Sequence, residues 1–101
     1  MPKLYIYFGL VVHFYTNEHN PIHVHGEYQG REAKAEIILR HGKITKIVFG
    51  KVAGMPPLEG TKLRAFKRLV EVKADEIVQK WIDYFVKNIR HKPEVITRKL
   101  K

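Results

Sequence analysis

Ten consecutive residues carry most of the chemistry open to this chain: His19-Asn20-Pro21-Ile22-His23-Val24-His25-Gly26-Glu27-Tyr28. Neutral imidazole ligates zinc, nickel, copper and iron, and near neutral pH it also takes or gives a proton. If residues 22 to 28 form a strand, side-chain alternation sends His23, His25 and Glu27 to one face and Val24 to the other. A divalent transition metal such as zinc or nickel would then be held by His19 reaching back from the turn, His23, His25 and Glu27, with Glu36 as a further ligand. An acid/base site of the ribonuclease type needs two histidines about a phosphate apart and a cation for the developing charge, and His13, His25 and Lys34 supply those types. Two readings without chemistry stand beside these. In one, His19 caps a turn while His23 and His25 hydrogen-bond to Glu27, Glu32 or Glu36; in the other, the box is a docking surface for a partner protein.

The flanking elements must position these side chains. Leu4, Ile6, Phe8, Leu10, Val12 and Phe14 alternate with Tyr5, Tyr7, Gly9, Val11, His13 and Tyr15, a period of two that predicts one long strand over 4 to 15, bent at Gly9. Its even positions are expected to face the core, which leaves His13 on the opposite face. Thr16 to Pro21 reads as a turn. A strand over about 22 to 28 then meets 31 to 39 through a hairpin at Gln29-Gly30. Pairing Tyr28 with Arg31 sets Glu27 opposite Glu32, His25 opposite Lys34 and His23 opposite Glu36, and it gathers Ile22, Val24, Ala35 and Ile37 on the other face. On that face pattern the histidines are expected at exposed positions, where substitution costs little. His41-Gly42 marks a further turn before a fourth strand over 44 to 49.

Gly50 to Gly60 reads as a loop. Its end, Gly60-Thr61-Lys62, has the wrong order and spacing for a nucleotide-binding loop, and Thr61 is expected to cap a helix. Residues 62 to 90 hold no Gly or Pro, and Leu63, Phe66, Val70, Ala74, Ile77, Trp81, Phe85 and Ile89 recur at helical spacing. This predicts one helix or two, ended by Pro93, with the apolar stripe turned to the core. The expectation is therefore a single α+β domain: an antiparallel sheet of about four strands (about 4–49), a loop (50–60), a helical segment (about 61–91) packed on one face of the sheet, and a basic tail (92–101).

Composition narrows the function classes. A chain of 101 residues with no cysteine and no serine excludes disulfides, thiolate metal sites and serine or cysteine nucleophiles. The start lacks the pattern of a signal peptide and no run reaches membrane-span length, so a cytoplasmic protein without membrane contact is expected. The formal net charge is +9, with +2 from residues 1 to 50 and +7 from 51 to 101, an excess that favours anionic partners. The tail cations Lys87, Arg90, Lys92, Arg98, Lys99 and Lys101 would suit a nucleic acid backbone without reading its bases. An open edge on the long first strand would allow homo-oligomers.

The run Phe14-Tyr15-Thr16-Asn17-Glu18-His19-Asn20-Pro21-Ile22-His23-Val24-His25-Gly26-Glu27-Tyr28, followed by Gly30 and Glu32-Ala33, resembles the signature of the small prokaryotic family known as domain of unknown function 4160. That signature is an aromatic strand, a turn of the type Asn-Asp-His-x-Pro-Pro-His-x-His, and a short Glu-Tyr-x-Gly hairpin. The chain departs from it at Glu18 and Ile22, leaving His19, His23 and His25 in place. The resemblance implies no assigned activity. It implies one half of a two-protein module, in the manner of toxin and antitoxin pairs, whose cognate partner is another small protein. Two functions follow for testing: a component of such a module acting through its partner and through nucleic acid, or a divalent-metal-binding protein, or metal-dependent hydrolase or ribonuclease, built on the His19/His23/His25 cluster.

Overall fold

The computed structural model describes residues 2–14 and 22–101. Among the described residues six strands and one helix follow in order: β1 (Lys3–Tyr7), β2 (Leu10–His13), β3 (Ile22–Tyr28), β4 (Arg31–Arg40), β5 (Lys43–Lys51), α1 (Gly60–Phe85) and β6 (Glu94–Ile96). They form one sheet in the order β5-β4-β3-β2-β1-β6, with the helix packed across one face. The class is α+β, as the patterns predict. The strands number six, however, and the sheet is mixed, because β6 runs parallel to β1 at the far edge.

Three hairpins share one device. Phe8-Gly9, Gln29-Gly30 and His41-Gly42 each place both residues at positive φ, from 48° to 85°, the geometry of two-residue turns whose twist matches that of the strands they join. The first turn overturns the single long strand expected over 4 to 15. Tyr7 pairs with Leu10 and Tyr5 with Val12, so the face pattern reverses across Gly9. Tyr5 and Tyr7 are buried, while Phe8 is 55% exposed. Alternation carries no mark of this, since the turn shifts the core-facing set from odd to even positions and Tyr5 and Tyr7 fill the core as readily as the aliphatics beside them.

Phe66, Leu69, Val70, Ala74 and Ile77 form the buried stripe of α1, spaced to lie along one side of a helix. They pack on Leu10, Val12, Ile22, Val24, Ala33, Ala35 and Ile37 from the sheet. Gly26 brings the helix close, because a Cβ there would meet Cε1 of Phe66 at 2.7 Å and its Cγ at 3.0 Å. The helix begins after Glu59, which makes no side-chain cap bond, rather than at a Thr61 cap. It ends at Phe85, and Asn88 takes the left-handed conformation (φ 58°) just beyond, so the chain turns at Asn88 before Pro93 is reached. Ile89, expected on the stripe, is 45% exposed. In the tail, Ile96 is 8% exposed, and the Leu100 N–H donates to the Tyr7 hydroxyl at 2.9 Å; these contacts seat the chain end beside β1.

Candidate functional site

The face turned away from α1 carries the histidines. Val24 pairs with Ala35 and Ile22 with Ile37 on the helix side; His23 pairs with Glu36, His25 with Lys34 and Glu27 with Glu32 on the other. This is the register expected from the Gln29-Gly30 hairpin. On the neighbouring strand His13 pairs with His25 and Val11 with Glu27, so His13 joins the same face. His19 lies outside the described residues.

Three groups converge. Ligand atoms of His13, Glu27 and Glu32 all lie within 4.8 Å of one another, from β2, β3 and β4 in turn. His13 Nε2 is 3.7 Å from Glu27 Oε2. A tetrahedral zinc with bonds of about 2.0–2.1 Å sets its ligand atoms about 3.4 Å apart, so small side-chain rotations bring the three to one ion. The donor set of one imidazole and two carboxylates suits zinc, iron or manganese, and it leaves coordination positions for water. His25 stands behind it, with Nδ1 3.1 Å from Glu32 Oε2, and this contact fixes the carboxylate as outer-shell partners do.

Burial and charge support that reading. His13 is 1% and Glu32 4% exposed, whereas Glu27 reaches solvent with 41% of its side chain. Burial pulls the His13 pKa below its ordinary value, helped by His25 and outweighing the raising effects of the Phe14 carbonyl and of the Glu32 and Glu27 carboxylates. Its imidazole is therefore neutral at pH 7, the form a metal takes. Nδ1 lies 3.4 Å from the Phe14 carbonyl oxygen. The Nδ1–H tautomer donates there and turns the Nε2 lone pair towards Glu27. Glu27 and Glu32 face each other across a strand pair, a like-charge arrangement that a cation between them relieves.

The other expected residues fall apart from this centre. His23 binds Glu36, Nε2 to Oε2 at 3.1 Å, one step along the strands at a half-buried position. His25 is 4% exposed, which corrects the expectation that both strand histidines stand in solvent. The His13 and His25 rings lie parallel, 5.7 Å between centroids and 12° between planes. Lys34 shares the face, its methylenes over Gly50. Of the tail cations, Arg90 lies on the Tyr84 ring near Lys87 and Lys92 beyond the helix end, while Lys99 sits at the other end of α1 beside Arg64 and Arg68. Glu32 was missing from the expected ligands. The signal for it was present, since the Tyr28–Arg31 register sets it opposite Glu27 on the histidine face.

The family model described as Domain of unknown function (DUF4160) matches residues 9–82, about three quarters of the chain. The chain belongs to this family. No curated protein and no solved structure matches it. Within this DUF4160 chain the matched span holds His13, the whole β3–β4 hairpin and the helix as far as Trp81 and Ile82. Among the described residues no helix is long and apolar enough to cross a membrane.

Proposed function

We propose that this protein binds a divalent transition metal such as zinc at His13, Glu27 and Glu32, with His25 holding Glu32 in place. The observation that carries the reading is the convergence of three ligand atoms from three strands within 4.8 Å, two of them on residues almost wholly buried. When bound, such an ion supplies Lewis acidity and a water that ionises near neutral pH, the chemistry of metal-dependent hydrolysis. The chain's own part is to hold the ion between two carboxylates on a rigid sheet and to keep the imidazole neutral by burial.

Isothermal titration of zinc and nickel into protein purified without a histidine tag tests this. Stoichiometric binding is expected, weakened at least ten-fold by Glu27→Gln, a change at a solvent-facing side chain that leaves the core untouched. His23→Ala should leave the affinity within about two-fold. If Glu27→Gln binds as the parent does while His23→Ala abolishes binding, the metal belongs to the His19, His23 and His25 set instead.

The two-protein module is a second reading, favoured by the outer edge of β5. That strand ends the sheet, runs for nine residues and presents Val48 with 44% exposure, so a partner strand could extend the sheet there. Co-expression with the product of the neighbouring gene, followed by size-exclusion chromatography, should give a heteromeric complex that Val48→Lys weakens. Self-association through the same edge would appear as a homodimer with the same sensitivity.

A further inference from the structure

We infer that a groove between the first three turns of α1, the β1–β2 turn and the C-terminal segment binds single-stranded nucleic acid, with Arg64, Arg68 and Lys99 on the phosphates and Phe8 stacked on a base. The inference is independent of the metal reading, because the groove lies on the helix side of the sheet.

The deeper part is about 350 Å³, floored by Tyr7, Ala65 and Leu100 and rimmed by Arg64, Arg68 and Lys99. It runs into a second hollow of about 290 Å³ that adds Phe8, Lys62 and Thr61. No carboxylate lines either part. Arg64 and Arg68 are four residues apart and so share one side of the helix. Lys99 is brought beside them by the bond from Leu100 to the Tyr7 hydroxyl. All three cations are exposed, and none takes part in an ion pair among the described residues. Some other cations are engaged: Lys73 and Lys80 with Glu76, Arg31 with Glu59, and Lys62 with the Phe8 carbonyl.

Two features here run against stability, which points to a ligand. Lys62, Arg64, Lys67 and Arg68 precede the first acidic residue of the helix, Glu71, and the first turn holds no carboxylate. Lys62 in the first turn opposes the helix dipole, and Arg64 lies three and four residues before Lys67 and Arg68, like-charge spacings that destabilise a helix. Phe8 is an aromatic residue at φ 49° that is 55% exposed, a conformation that Gly or Asn takes more readily and an exposure that suits a stacking platform. Its carbonyl accepts a 2.6 Å bond from Lys62 Nζ, which fixes the turn against the helix, and its ring lies against Tyr7 at 5.0 Å. Cations along a groove with an aromatic at one end are the combination by which proteins hold single strands without reading sequence. A protein partner with an acidic surface would use the cations but not the exposed Phe8 ring.

Fluorescence anisotropy with labelled twelve-nucleotide U and T oligomers tests this at 50 and 200 mM salt. Three phosphate contacts on a single strand give a slope of about −2 in log affinity against log salt, a loss of about 20-fold across that range. Arg64→Gln with Arg68→Gln should weaken binding at least ten-fold and flatten the slope to about −0.7. Phe8→Asn, which keeps the left-handed turn, should weaken the oligomers five-fold or more and leave heparin binding unchanged. Lys87→Gln with Arg90→Gln and Lys92→Gln, at the far end of the helix, should change affinity by less than two-fold. A preference between U and T would separate RNA from DNA. Absence of binding at 50 mM salt overturns the proposal. So does equal competition by poly-glutamate, or indifference of the oligomers to Phe8→Asn, since either marks plain attraction of polyanions.

Discussion

Replacing Gly26 by Ala isolates what holds the site strand against the helix. An alanine in a strand interior normally gains roughly 0.5–1 kcal/mol over glycine from backbone entropy. Here the new Cβ would sit 2.7 Å from Cε1 and 3.0 Å from Cγ of Phe66, with Cδ1 closer still. Carbon contacts are comfortable at about 3.5–4.0 Å, so strand and ring must separate by nearly an ångström. Phe66 is wholly buried and lies edge-on to Phe49 at 6.1 Å, so its ring cannot swing into solvent. Overpacking costs about 1–3 kcal/mol; overlap with a ring that cannot move puts this site in the upper half, about 2–3 kcal/mol, so the net loss after the entropy gain is about 1–2 kcal/mol. For a chain of this size, 1 kcal/mol shifts Tm by about 4–8 °C, so Gly26→Ala should melt roughly 4–16 °C lower. Phe66→Leu costs stability alone, through the cavity it leaves, yet in the double variant it should recover at least part of the Gly26→Ala loss, giving a favourable coupling in a double-mutant cycle by urea unfolding. Because Val12 pairs with Gly26, between the His25 and Glu27 rungs, the same displacement should also disturb metal affinity. A Gly26→Ala variant as stable as the parent or more so, with additive double-mutant energies, refutes the close-packing account.

The buried and half-buried histidine pairs should separate in stability. His25→Ala leaves Glu32 buried without that imidazole, and the loss should be about 2–4 kcal/mol by urea unfolding, whereas His23→Ala beside the partly exposed Glu36 should cost under about 1 kcal/mol; equal losses would contradict the burial difference. The Tyr5 hydroxyl donates to Glu76 at 2.8 Å and supplies a pH dependence. Burial pushes the Glu76 pKa up, but the Tyr5 bond and the ammonium groups of Lys73 and Lys80 outweigh it and hold the carboxyl below its ordinary range. A depressed carboxyl contributes stability that is present above its unfolded value and lost as pH falls through the folded one. Tyr5→Phe should therefore lose stability at pH 7 and show a shallower decline below about pH 4.5, measured as Tm against pH.

How far the sequence reached depends on which physical signal each element leaves. The β3–β4 register was legible to the residue, because two hydrophobic faces and a Gln-Gly turn admit one pairing, and a slip of one would expose Ile22 and Val24. The histidine face followed from it. The β1–β2 hairpin was not legible: Phe is a poor marker of a left-handed turn, and the alternation from Leu4 to Phe14 runs through it unbroken. Strand β6 escaped as well, since three residues, of which Ile96 alone is buried, carry no period. Glu32 was visible as a position but not as a ligand, because its role depends on His13 arriving from a strand whose partner is set by tertiary pairing. The burial of His25 leaves no mark in the sequence for the same reason. Alternation tells which face a side chain takes, and only the assembled structure tells whether that face is covered.

The distribution of charge ties the two proposed sites together and keeps them separate in action. Every carboxylate in β3 and β4, namely Glu27, Glu32 and Glu36, lies on the histidine face, since the pairing sets Glu27 against Glu32 and Glu36 against His23. The helix side of the same hairpin carries none. The first two and a half turns of α1 are in turn free of acid. A chain with net charge +9 would on average repel a divalent cation, so a local cluster of carboxylates is what makes one face attractive to it. The sheet and the helix layered on it separate the two faces by about 10 Å or more, comparable to the screening length at physiological salt. Each face therefore acts on its own ligand with little influence from the other. Neutralising Arg64 and Arg68 should leave zinc affinity within about two-fold, and Glu27→Gln should leave oligonucleotide binding equally unmoved. A strong cross-effect in either titration would mean that the faces communicate through the β1–β2 hairpin, which carries Phe8 at its tip and His13 at its end.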